Sequence, residues 1–244
     1  MAGHNKWSSI KDKKGKEDAK RGKIFTKIAR MISVAVREGG TDPDYNPSLK
    51  SAIEKAKAEN MPNDNIQRAI KKGSGEDSSS NYEKIIYEGY GADGVAVIVN
   101  CLTDNRNRTA SDIRHAFDKY GGNLGQNGSV IFMFDHKGVL TIDKNGKDED
   151  EFMLEAIDAG AEDIQMEEDL FVVTTTMDDF AKVRDTLLDS GYVFNTADLY
   201  YLPQNEIEVQ DPESQKNLRK MIDMLEDNDD VQSVFHNWQE PDEE

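Results

Sequence analysis

Residues 138–202, "GVLTIDKNGKDEDEFMLEAIDAGAEDIQMEEDLFVVTTTMDDFAKVRDTLLDSGYVFNTADLYYL", switch hydrophobic period four times. "VLTID" alternates as a strand and "DEDEFMLEAIDAG" repeats at helical spacing. "DIQMEE" and "LFVVTTT" are two further strands, "DDFAKVRDTLLDSG" a second helix, and "YVFNTADLYYL" a closing strand. The order βαββαβ is that of a split βαβ, or ferredoxin-like, unit.

What flanks this unit is incomplete on either side. Before it, "YEKIIYEGYGADGVAVIVNCLTD" predicts two strands around a glycine-rich turn, "RTASDIRHAFDKYGG" a helix and "GSVIFMFDH" a further strand. After it, "PESQKNLRKMIDMLED" and "DDVQSVFHNW" predict one helix and one strand, neither able to bury its apolar face alone. A discontinuous domain, residues 82–137 completed by 206–238, with residues 138–205 inserted into it, solves both problems. "KKGSGEDSSSN" has nothing to bury and marks a linker.

Ahead of the linker, residues 1–75 predict three short amphipathic helices. Ile24, Ile28, Met31 and Ala35 share one face before a stop at Gly39-Gly40. Asn46-Pro47 caps a second helix carrying Leu49, Ile53 and Ala56. Pro62 ends that helix or begins a third, with Ile66, Ala69 and Ile70 before Gly73. The expected class is α+β: an N-terminal three-helix domain followed by two α/β domains, one a ferredoxin-like unit inserted into the other.

Charge divides along the same boundary. The 244-residue chain has a net charge of -18, yet residues 1–75 hold 17 basic against 9 acidic residues, a net of +8, leaving -26 for the remainder. No apolar run approaches the roughly 20 residues that span a bilayer, and no apolar segment follows the polar start, so a cytoplasmic location without membrane contact is expected. The one cysteine, Cys101, lies in strand-like "VAVIVNCL" and reads as a small buried hydrophobe.

Several apparent motifs fail on context. "GYGADG" fits GxGxxG but leads into the strand-forming run Val95–Val99 and not into the helix a dinucleotide site needs. In "GKEDAKRGKI" the glycines are too far apart for a P-loop, and Ile24 stands where a magnesium-binding hydroxyl belongs. "DKNGKDEDE" has Gly146 too early and Leu154 in place of the closing glutamate of a calcium loop. His4, His115, His136 and His236 lack metal-ligand spacing. The chain is therefore expected to be neither an enzyme nor a cofactor carrier.

The basic head carries the positive signal, for nucleic acid as partner, with a protein-interaction module without nucleic acid as the alternative. Lys13, Lys16, Lys20, Lys23, Lys27 and Arg30 recur at steps of three and four, and Lys14 and Arg21 lie beside them. On a helix this row would present ammonium groups to phosphates next to an apolar stripe. In "GHNKWSSIK", His4, Asn5, Lys6, Trp7 and Lys11 combine an aromatic ring with hydrogen-bond donors, a mixture suited to stacking on an unpaired base.

The blocks "MAGHNKW", "DAKRGKIFTKIAR", "AKAENMPNDNIQRAIKKGSG", "YEGYG", "LTDNRNRT" and "GGNLGQNGSVIFMF" resemble the YebC/PmpR family, which also contains mitochondrial translational activators of cytochrome oxidase. The resemblance runs nearly end to end. It implies three domains and a nucleic-acid surface at His4, Asn5, Lys6, Trp7, Lys20, Arg21, Lys23 and Lys27. It implies as partner either promoter DNA, as in a transcriptional regulator, or ribosomal RNA on the ribosome, as in a factor that relieves stalling at proline-rich stretches. Arg106 and Arg108 in "DNRNRT" form a second family block, where Asn and Asp are expected to cap the following helix.

Overall fold

The computed structural model describes residues 18–75 and 82–241, with side chains from residue 22 onward. By internal packing, residues 18–75, 82–131 and 209–236 form one unit, and residues 132–208 with 237–241 form another.

The first unit begins with helix α1 (Asp18–Gly39), followed by α2 (Pro47–Ala58) and α3 (Asn63–Ser74). Ile28, Ile32, Ala35, Leu49, Ala56, Ile66 and Ala69 make their common core, with Ile24, Met31, Ile53 and Ile70 packed against it. Gly40 takes φ +87° just past the end of α1, a conformation that favours glycine. Asn46 then ties two helices together. Its side-chain oxygen accepts from the Leu49 amide at 3.1 Å, and its Nδ2 donates to the carbonyls of Ala35 and Gly40. The third helix runs through Gly73 to Ser74. Gly73 lies inside α3 against α1, where a Cβ would come within 2.5 Å of the Ser33 carbonyl oxygen.

Strands β1 (Glu83–Tyr90) and β2 (Ala96–Thr103) pair antiparallel through a 3-10 turn, Ala92–Gly94. The glycines of "GYGADG" turn the hairpin and make room. A Cβ at Gly89 would meet Phe117, and one at Gly91 would meet Leu218. Helix α4 (Arg106–Lys119) and the short β3 (Asn123–Leu124) follow. Buried Glu88 accepts hydrogen bonds from the amides of Gly128, Val130 and Ile131, so one carboxylate organises the loop behind β3.

Strand β4 (Phe134–Asp143) opens the second unit after a 3-10 turn, Ile131–Met133. Sequence periodicity splits this region at Gly138 into two strands, but the backbone runs straight through, with Gly138 paired to Thr175 and Leu199, and glycine stands there because Thr175 and Phe180 fill the space a side chain would take. Helix α5 (Glu149–Ala159), β5 (Asp163–Met166), β6 (Leu170–Thr175), α6 (Phe180–Asp189) and β7 (Phe194–Pro203) complete the βαββαβ order. The sheet order β5-β6-β4-β7 is antiparallel throughout. Its core stacks Phe152 on Phe171 at 4.0 Å between ring centres. Strand β8 (Ile207–Glu208) pairs in parallel with β10 (Trp238–Gln239).

Back in the first unit, α7 (Pro212–Glu226) leads to β9 (Val231–His236), which pairs antiparallel with β2. The resulting sheet has the order β3-β1-β2-β9. No described helix is long and apolar enough to cross a membrane.

Candidate nucleic-acid interface

Three members of the predicted lysine row meet carboxylates and carbonyls of their own unit. At the C-terminal end of α7, carbonyls without helical partners and the acidic turn 226–230 make a region of negative potential. Lys23 Nζ lies 2.7 Å from Asp227, and Lys27 Nζ donates to the Glu226 carbonyl at 2.6 Å. Arg30 donates to the carbonyls of Leu102 and Asp229 and to Asp230 Oδ1, the last at 2.7 Å. Burial pushes the Lys27 ammonium below its ordinary value, while Glu226, Asp229 and Asp227 oppose that shift.

Asp230 is the centre of this junction. The residue is 3% exposed. Its second oxygen accepts from Arg108 Nε and Nη2 and from the hydroxyls of Thr103 and Thr109. Burial raises its carboxyl, but hydrogen bonds from Arg108, Thr109 and Arg30 outweigh that and hold it below the ordinary carboxylate value. The "LTDNRNRT" block is thus a structural clasp. Asn105 caps α4 by accepting from the Arg108 amide at 3.1 Å, as expected, and Arg108 also pairs with Asp104.

His4, Asn5, Lys6, Trp7, Lys11, Lys13, Lys14 and Lys16 lie outside the described residues. Lys20 and Arg21 sit on α1, with their side chains also outside the description. Sequence reasoning left aside exposed cations on all three helices, Arg37 on α1, Lys57 on α2 and a cluster of three on α3. Arg68, Lys71 and Lys72 are exposed, and among the described residues no ion pair ties them down. Their spacing of three and four, opposite Ile66 and Ala69, is the signal that marks them as one face.

Between α1 and α3 runs a groove of about 470 Å³. Phe25, Ala29 and Arg30 line it from α1, Asn65, Arg68 and Lys72 from α3, with Met61 and Tyr82 nearby. The Arg30 guanidinium lies 5.1 Å from the centre of the Tyr82 ring, a cation-π distance. The groove therefore combines aromatic walls, an amide and a rim with two cations not committed to carboxylates among the described residues.

Residues 5–76 match the family model described as the TACO1/YebC protein N-terminal domain, and residues 82–238 the model of the TACO1/YebC second and third domain. A protein of Finegoldia magna called "Probable transcriptional regulatory protein" is 67% identical, covering 98% of this chain and 99% of that one. One of the same name from Acetivibrio thermocellus is 55% identical over 98% and 99%. The crystal structure of a conserved hypothetical protein, Aq1575, from Aquifex aeolicus superposes with a TM-score of 0.84 at 43% identity, covering 94% of each chain.

Proposed function

The chain belongs to the TACO1/YebC family, and from that premise we propose that it is a non-enzymatic, cytoplasmic regulator of gene expression that binds nucleic acid through its basic helical head. The observation that carries this reading is the segregation of charge, +8 within residues 1–75 against -26 in the rest. Phosphates are attracted to the head and repelled by the remainder, which confines contact to one end of the chain. Arg68, Lys71 and Lys72 supply a cluster of exposed, described cations on α3, and the sequence adds Lys13, Lys16 and Lys20 to the head's charge. The names of the relatives favour control of transcription, with promoter DNA as the partner.

A second reading, a ribosome-associated translation factor that binds ribosomal RNA, is favoured by the groove between α1 and α3. Its aromatic lining suits unpaired bases, which structured RNA displays and duplex DNA does not. Crosslinking in growing cells, followed by sequencing of the attached nucleic acid, separates the two. Recovery of a few promoter segments supports transcription, and recovery of ribosomal RNA supports translation. Recovery of neither, above an untagged control, sinks the nucleic-acid reading altogether.

A further inference from the structure

We infer that the groove between α1 and α3 is a binding pocket for an unpaired nucleotide of a single-stranded segment, its base held between the helices and its flanking phosphates on the α3 rim. This rests on the reading of the head as a nucleic-acid interface and adds to it the state of the strand that the head selects.

Volume is the first argument. About 470 Å³ falls within the range of roughly 300–1,000 Å³ typical of small-ligand sites, and suits one nucleotide rather than a duplex. The second is the arrangement of chemistry. On α1, Phe25, Ala29 and Ser33 recur every four residues, which places them along one wall. On α3, Asn65, Arg68 and Lys72 recur at three and four, which places an amide followed by two cations along the other.

A base needs a ring to stack on and a donor or acceptor for its edge, and its backbone needs cations within one phosphate spacing. Phe25 and Tyr82 supply the rings, Asn65 the amide, and Arg68 and Lys72 the cations. Arg30, drawn off to Asp230, is held over Tyr82 and braces that ring from outside the phosphate rim. Charge complementarity selects the occupant. An apolar peptide would leave Arg68 and Lys72 unused, and a free anion would leave the aromatic lining unused.

The test uses the full chain and one 12-nucleotide unstructured sequence, offered as RNA, as single-stranded DNA and as the DNA duplex, in fluorescence anisotropy at physiological salt. Phe25→Leu keeps apolar volume in the bundle but removes the stacking ring, and Ala29→Leu fills the groove. Circular dichroism and thermal melts report whether each variant is folded. The expected result is a loss of single-strand affinity of roughly 5- to 150-fold for Phe25→Leu, the span of one stacked base. Ala29→Leu should show a comparable loss, and duplex affinity should stay within about twofold for both. Preference for RNA over DNA would assign the strand to RNA; equal loss on both would assign a pocket that ignores the 2′-hydroxyl.

If folded variants bind single strands as the parent does, while Arg68→Gln with Lys72→Gln weakens every probe, the pocket is overturned and the interface stands. If the parent chain binds none of the probes, both fall.

Discussion

Arg30 and Asp230, two hundred residues apart in sequence, meet at 2.7 Å where the helical bundle joins the first sheet, and both side chains are nearly buried. The nearby Lys23–Asp227 contact is of the same length but largely exposed, so it falls in the class of surface pairs worth about 0–1 kcal/mol. The buried pair decides the strength of the junction.

Replacing Asp230 by Ala should destabilise the protein by about 3–5 kcal/mol, the range for breaking one side of a buried ion pair, because Arg30 and Arg108 lose their shared carboxylate. Lys23→Ala should cost less than about 1 kcal/mol. Urea denaturation of both variants checks the contrast, and equal losses would show that Asp230 is not the junction's anchor.

The same carboxylate gives the junction a pH dependence of known sign. Its pKa is lowered in the folded state, so the unfolded chain binds the proton more readily. The contribution is fully present above the ordinary unfolded value, near pH 4, and disappears as pH falls through the lower folded value. The stability difference between the parent and Asp230→Asn should therefore be constant from pH 7 to about 5 and shrink only below about 4. Shrinkage beginning near neutrality would point to a different titrating group.

Cys101 is 3% exposed, and its thiol is pushed up to about 12, by burial first and by Asp230 second, with Lys27 opposing. The thiolate is the reactive form. Iodoacetamide at pH 8 should leave the folded protein unlabelled for hours and modify it stoichiometrically in denaturant. Fast labelling of native protein, followed by mass spectrometry, would mean that β2 is open to solvent.

Gly73→Ala should lower stability by about 1–3 kcal/mol through overpacking, although alanine is the better helix former by roughly 1 kcal/mol. The Cβ has no room beside Ser33 and Val36, so α1 and α3 must separate. A variant as stable as the parent would show that the helices can slide apart without loss.

Neutralising Arg68, Lys71 and Lys72 to Gln should weaken binding to single-stranded nucleic acid and flatten its salt dependence, by up to about 0.7 in log–log slope for each phosphate that no longer meets a cation. Lys27→Gln should change that slope little, since its ammonium is engaged by the Glu226 carbonyl. A slope that responds to Lys27 and ignores α3 would move the interface to the opposite face of the bundle.

The βαββαβ unit was legible because each of its elements carries its own period and its first helix its own cap. Asp148 accepts from the Glu151 amide at the start of α5, a local signal within four residues. Asn46 and Asn105 announced α2 and α4 in the same way. The fate of Lys23, Lys27 and Arg30 was not legible. Helical spacing places cations on a face, but what lies opposite that face arrives from the turn 226–230, and no local pattern links the two. Gly138 misled for a related reason: a glycine that makes room and a glycine that ends an element look identical until the neighbouring residue is known.

The pairing of β9 with β2 also sets a timetable. Translation proceeds from the N-terminus, and at roughly 5–20 residues per second the stretch between Thr103 and Val231 takes on the order of ten seconds to make. Throughout that interval the residues of α1 have been made and those of the acidic turn have not. Lys23, Lys27 and Arg30 are therefore without Asp227, the Glu226 carbonyl and Asp230, and the newborn head carries more uncompensated positive charge than the finished protein ever shows.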